Sequence, residues 1–188
     1  MNLIWTGSDV LYCTRYPKHS KKTKYFYMFG MRVFAKLADI FCQKHIVVSE
    51  HLIEELKPLK LKKPIEVRAN PVFYSKPVKK KPHKGFNILF YCAKGSNKRF
   101  KEWVYGKDLV ERLKDYGYNI IEVNGNHDMN EVYPIIDFYV RPNRHDGCPR
   151  MIRECEINNI PYYYTHKDPS FDDMLQAIIK TENLTNAF

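Results

Sequence analysis

Two acids stand on either side of a turn in the stretch HDGCPRMIRE: Asp146, then seven intervening residues, then Glu154. A carboxylate one to two turns inside a helix can accept hydrogen bonds from vicinal hydroxyls such as those of a ribose. An acid in the loop just before it can hold a second polyol or line a reaction centre. Between the two, Pro149 opens the next helix, and the N–H groups of residues 150–152 lack intrahelical acceptors. That helix end offers partial positive charge to an anion. The same residues also fit a plainer arrangement, with Glu154 on the surface pairing with Arg150 four residues back and Asp146 a turn residue. Residue types and spacing leave both open.

Two other loops carry similar potential. In YCAKGSNKRF, Lys94, Lys98 and Arg99 cluster in a Gly/Ser/Asn turn between a strand and a helix. Backbone N–H groups and fixed cations suit a diphosphate there, although the spacing is not that of a Walker P-loop and a solvated basic turn is the alternative. In VNGNHD, Gly125 ends a strand where a ligand can approach backbone, as many ordinary turns do.

The elements that position these loops follow from hydrophobic period. NILFYC (87–92), NIIEVNG (119–125), DFYVRPN (137–143) and IPYYYT (160–165) read as strands. RFKEWVYGKDLVERLKDYG (99–117) reads as one helix, MNEVYPII (129–136) as a short helix broken by Pro134, and PRMIRECEINN (149–159) as a helix with Pro in its first turn. SFDDMLQAIIK (170–180) reads as a closing helix capped by Ser170. Repeated βα units imply a parallel sheet with helices on both faces, and ligands beyond the strands' carboxyl ends. The first part is sparser. It has strands at 3–5, 45–49 and 65–70, a long amphipathic helix over 25–43, and a helix over 49–57 capped by Ser49.

The chain has 188 residues, 44% of them apolar, and 25 Tyr and Phe, enough for a core and against wholesale disorder. Its net charge of +10 is unevenly placed. Residues 1–85 hold 18 Lys/Arg against 6 Asp/Glu, and residues 86–188 hold 13 against 15. A basic half implies an anionic neighbour. The five cysteines form no CxxC pair, so reduced thiols are expected, with neither a disulfide frame nor a zinc site. MNLIWTGSDV shows no signal-peptide pattern and no run is long enough for a membrane span, so a cytoplasmic location is expected. The Lys/Pro-rich KPVKKKPHKG ends near Gly85, the best domain boundary.

The acid-x7-acid element resembles the EX7E motif of retaining GT-B glycosyltransferases, above all the family 4 group. NILFYCAKGSNKRFKEWVYG is similar to that family's strand, phosphate loop and helix, and NNIPYYYT to the strand after the motif. IVVSEHLIEEL, IEVRANPVF and IWTGSDV resemble parts of its acceptor-side domain. The resemblance implies a GT-B-like α/β fold. Residues 1–75 would form a shortened acceptor-side domain, 76–85 a linker, and 86–188 a Rossmann-type donor domain. Its implied activity is transfer of a sugar from a nucleoside-diphosphate sugar to a glycan, lipid or protein acceptor, hexosyltransferase-like, retaining, and without metal or cofactor.

By the same resemblance Lys94, with Lys98 or Arg99, neutralises the diphosphate; the family usually has Arg at the first position. Glu154 binds the ribose, Asp146 works at the sugar, and Gly147, Cys148 and Gly125 bring backbone to the donor. Asp9, in the GSD turn, is the acceptor-side candidate. The family's acceptor-side domain is about twice as long. A partner chain completing it, or a donor-binding remnant without turnover, is therefore an alternative. The basic, aromatic stretch over 15–34 suits an anionic membrane surface, or a loop followed by a packed helix. A nucleic-acid-binding protein is the rival from another class, but no helix-turn-helix, zinc or RNP signature is present.

Overall fold

The computed structural model describes residues 2–5, 10, 23–68, 76–93, 98–146 and 149–185. It divides into two compact units: Met1–Pro71 with His145–Cys148, and Val72–Arg144 with Pro149–Phe188. Both are α/β, and every strand pair in both sheets is parallel.

The first unit contains β1 (Asn2–Trp5), α1 (Thr23–Phe41), β2 (Lys44–Val47), α2 (His51–Leu56) running into a 3₁₀ turn (Lys57–Leu59), and β3 (Ile65–Val67). The sheet order is β1-β2-β3, with Trp5 beside Val47 and Val47 beside Val67. Side chains alternate across a strand, so Trp5 and Val47 share one face. There they meet Ala35 of α1 and Leu52, Leu56 and Leu59 of α2 and its turn. Ser49 was expected to cap α2. Its hydroxyl instead bonds the His51 ring, and the residue before the helix is Glu50, which makes no side-chain cap.

The second unit continues with β4 (Asn87–Tyr91), α3 (Lys98–Val104), α4 (Lys107–Asp115), β5 (Asn119–Val123), α5 (Met129–Val132) with a 3₁₀ turn (Tyr133–Ile135), β6 (Phe138–Pro142), α6 (Arg150–Ile157), β7 (Tyr162–Thr165) and α7 (Phe171–Thr185). The sheet order is β5-β4-β6-β7. Ile88, Phe90, Phe138 and Val140 point to one face, against Val110 and Leu113 of α4 and Met174 and Ile178 of α7. Leu89, Val123 and Tyr139 point to the other, against Met129, Tyr133, Ile152 and Cys155. Both faces are covered, which is why β4 reads as an unbroken apolar run.

Four sequence expectations shift. The single helix over 99–117 is two, split at Gly106, whose φ is +70°. Pro149 stands just outside α6 with an extended ψ of 102°, so the helix opens on Arg150. Residues 76–85, expected as a linker, run along the second unit. Val78 N–H donates to Asn158 Oδ1 (2.8 Å), Lys81 N–H to the Pro134 carbonyl (2.9 Å), and His83 approaches Asp137 (3.2 Å). The boundary between units falls at Pro71/Val72, not near Gly85. The Ser170 cap is present, its Oγ accepting from Asp173 N–H (3.3 Å).

Candidate functional site

The second sheet has its topological switch at β4, with β5 on one side and β6 on the other. In open parallel sheets ligands bind beyond the carboxyl ends at such a reversal. At that edge Arg141, on β6, is buried, a rare state for an arginine. Its Nη1 donates to Tyr139 Oη (3.1 Å), and its guanidinium lies 5.9 Å from the Tyr91 ring centre and 5.6 Å from that of Tyr105. The sequence reading missed Arg141 because it sits inside a strand, and only the pleat shows which face it takes.

The backbone around this edge is tightly fixed. A Cβ on Gly106 would lie 2.2 Å from the Pro142 carbonyl oxygen, so only glycine lets the α3–α4 junction reach the end of β6. Arg144, in the loop after β6, grips the same junction. It makes two 2.7 Å bonds to the Asp108 carboxylate and one of 2.6 Å to the Trp103 carbonyl, and stacks 5.2 Å from the Trp103 ring. The Arg144 bonds hold the Asp108 carboxyl below its ordinary value.

Glu154 is 3% exposed, so it is no surface acid and the pairing with Arg150 is overturned. On α6 it faces inward, and its Oε2 accepts a 2.6 Å bond from Tyr133 Oη. Among the described residues Oε1 receives no hydrogen bond. Burial first, then the bond to Glu154, pushes the Tyr133 phenol far above its ordinary range, so it stays a donor. Asn158 closes this corner: its Nδ2 donates to the Glu154 carbonyl (2.7 Å) while its Oδ1 receives Val78 N–H (2.8 Å). Burial, with Glu154 beside it, likewise pushes the Cys155 thiol up, which keeps it protonated and inert.

Asp146 is buried and belongs to the first unit. Its carbonyl accepts from His51 Nε2 at 2.6 Å. A carbonyl only accepts, so that nitrogen carries a proton. The other ring nitrogen, Nδ1, lies 2.9 Å from Ser49 Oγ. Next to Asp146, His145 Nδ1 lies 3.4 Å from Glu55 Oε2, and both side chains are buried. Of the remaining candidates, Lys98 and Arg99 open α3. Gly125 is exposed at the end of edge strand β5, and a Cβ there would meet nothing within 4 Å. Asp9, Lys94, Gly147 and Cys148 lie outside the described residues.

A second polar cluster lies in the core of the first unit. Asp39, Cys42 and His45 are buried with their ligand atoms within 4.8 Å of one another, a spacing that suits a metal ion. The hydrogen bonds give them another job. Trp5 Nε1–H can only donate, and it does so to His45 Nδ1 (3.1 Å), so the proton of a neutral ring sits on Nε2 and points at Asp39 Oδ1 (2.9 Å). A metal on Nε2 would need that lone pair and would break the Trp5 bond. Asp39 also accepts Lys62 N–H (2.8 Å) and Lys63 N–H (3.0 Å), tying α1 to the approach to β3. Burial alone would raise the Asp39 carboxyl, but the bonds from His45 and the two backbone donors bring it to about 2.

Among the described residues, no helix is long and apolar enough to cross a membrane. No known protein family and no curated protein matches the chain. Among solved structures, the lipopolysaccharide outer core galactosyltransferase WaaB in its apo form is similar, at 14% identity and a TM-score of 0.49. The likeness covers 80% of this chain and 57% of that one, so this chain spans little more than half the length of its structural neighbour.

Proposed function

We propose that the chain is a GT-B-type glycosyltransferase that takes a nucleoside-diphosphate sugar. The observation that carries this reading is Glu154, on the helix that follows β6 at the switch point of a parallel sheet, turned inward rather than to solvent. An inward carboxylate on the helix after a switch-point strand is poorly explained as a solubilising residue and well explained as a fixed acceptor.

In this reading Glu154 receives a ribose hydroxyl on Oε1 while Tyr133 holds Oε2 and fixes the carboxylate plane. Lys94 with Lys98 or Arg99 neutralises the diphosphate, and Arg141 adds a cation at the same edge. The start of α6 stabilises the charge that develops on the leaving group. Asp146 works at the sugar, with its backbone anchored by His51, and transfer is retaining and needs no metal. Gly125, Gly147 and Cys148 supply backbone contacts, and Asp9 serves the acceptor side.

The test is a melting and isothermal-binding screen across UDP-, GDP- and ADP-sugars, followed by mass analysis of transfer and hydrolysis products. A ligand at 100 times its Kd stabilises by about 2.7 kcal/mol. Glu154→Gln, which keeps the shape of the side chain, should weaken the selected donor at least roughly tenfold, or about 1.4 kcal/mol. The reading falls if no nucleotide sugar raises Tm, or if the variant binds as well as the parent. Stabilisation by an oligonucleotide, lost steeply with salt, would point to the nucleic-acid alternative.

A further inference from the structure

Helix α2 uses two of its sides. Leu52 and Leu56 go into the core of the first unit. His51 and Glu55, four residues apart and therefore one above the other on the helix, turn to a different neighbour. That neighbour is the segment His145–Asp146, which groups with the first unit although it follows β6 in the chain. His51 Nε2 donates to the Asp146 carbonyl at 2.6 Å, and Glu55 Oε2 faces His145 Nδ1 at 3.4 Å. Two successive residues of one loop are thus met by two successive turns of one helix.

Both contacts are directional. Ser49 Oγ lies 2.9 Å from His51 Nδ1, so the ring is held at both nitrogens with Nε2–H aimed at the carbonyl. Glu55 is the more telling residue. It is buried, and among the described residues no hydrogen bond satisfies its Oε2. Such an oxygen is costly unless a polar hydrogen or a positive charge stands beside it. His145 Nδ1 is that group. An ionised carboxylate only accepts, so the pair attracts when Nδ1 carries the proton. Apolar residues of similar volume commonly serve stability as well as a buried ion pair does. Stability alone therefore does not explain an acid at Glu55, whereas fixing the place of a loop does.

We propose that Glu55, with His51, is a positioning residue for Asp146: the two side chains form a two-point clamp on α2 that sets where the Asp146 carboxylate stands. Its catalytic consequence rests on the glycosyltransferase reading, in which Asp146 works at the sugar. The clamp itself is a property of the first unit and is measurable without substrate.

Limited trypsin digestion of the full chain, read by mass spectrometry at the Arg144–His145 bond, tests the clamp. Cleavage there requires the loop to open locally. Glu55→Gln and His51→Ala should each speed that cut by about tenfold or more. His51→Gln, whose amide N–H reaches about as far as the ring Nε2, should restore slow cleavage. Should Glu55→Gln unfold, His145→Gln breaks the same contact from the loop side. With the donor identified by melting, Glu55→Gln and His51→Ala should lose about tenfold to a hundredfold in kcat, the range that misplacing a reacting group costs. The Kd for the nucleoside diphosphate should stay within about twofold of the parent, since Glu154 is untouched. A merely structural role would lower nucleotide affinity and kcat together. The proposal is overturned if trypsin cuts parent and variants alike after Arg144, if kcat is unchanged, or if kcat falls only in step with nucleotide affinity. Faster cleavage in the variants of a chain that turns over no nucleotide sugar would leave the clamp standing and sink the glycosyltransferase reading instead.

Discussion

Both units start from parallel βα repeats and finish their cores in opposite ways. The second covers both faces of its sheet, α4 and α7 on one, α5 and α6 on the other, and buries Phe90, Phe138 and Tyr139 between them. The first gathers Trp5, Val47 and Leu52 on one face, leaves Ile4 on the opposite face 58% exposed beside the buried Ile46, and turns Phe29, Phe34 and Phe41 of α1 outward. What it buries instead is a polar relay, Trp5 to His45 to Asp39. The difference teaches where each unit is vulnerable. An apolar sandwich fails by clash or cavity. A unit centred on a buried acid fails when that acid loses its donors or gains a proton.

That contrast breaks first at Asp39. Asp39→Ala leaves the buried His45 N–H and two part-buried backbone N–H groups without their acceptor. It should cost about 3 kcal/mol or more. The chain has two tryptophans, Trp5 in the first unit and Trp103 in the second. Fluorotryptophan labelling therefore gives one resonance per unit. The Trp5 signal should lose its folded position in Asp39→Ala at denaturant concentrations where the Trp103 signal keeps it. If both signals shift together, the relay does not belong to the first unit alone.

Acid sharpens the same point. The folded carboxyl of Asp39 sits below its ordinary value of 3.8, at about 2. A depressed carboxyl stabilises above its ordinary value and loses that contribution as pH falls through the window down to the folded value. The Trp5 resonance should thus report weakening between pH 3.8 and about 2. Asp39→Asn, which does not titrate, should flatten that part of the profile. An unchanged slope in the variant would mean that other carboxylates govern it.

The second unit should break by clash. Gly106→Ala needs a non-glycine residue at φ +70° with its Cβ 2.2 Å from a backbone oxygen. The strain and forced movement should cost roughly 2–4 kcal/mol, or about 2–4 °C of Tm per kcal/mol. The loss should appear at Trp103, which lies in the α3–α4 segment. Gly125→Ala, where the added Cβ meets open space, is the control and should leave Tm alone.

These positions also show how far residue types and spacing reach. The βα order, the parallel sheet and the Ser170 cap were legible because period and capping are local properties of sequence. The break at Gly106 was not, since the need for glycine arises from Pro142, distant in sequence and close in space. The inward turn of Glu154 was undecided, because the salt bridge with Arg150 and the burial against Tyr133 use the same helix and differ only in which face meets the sheet. The outward turn of Phe29, Phe34 and Phe41 on α1 was also hidden. The amphipathic spacing of that helix reads as a core-facing stripe, but the side that meets Val47 of β2 carries the small Ala35.

The smallest expected effect lies where the second unit uses charge at its surface. Asp108 holds Arg144 through two 2.7 Å bonds, yet its side chain is 55% exposed. Solvent screens such a pair, and after Asp108→Asn Arg144 still has the Trp103 carbonyl and ring. The cost in equilibrium unfolding should stay below about 1 kcal/mol and shrink with added salt. Arg144→Leu removes all of these contacts at once, frees the loop that leads toward Asp146, and should cost more than Asp108→Asn. Equal costs would mean that the carboxylate, and not the Trp103 contacts, holds that loop. Both should remain below Asp39→Ala, because an acid in water is half satisfied before the protein offers it anything, whereas an acid in a core depends on the donors built around it.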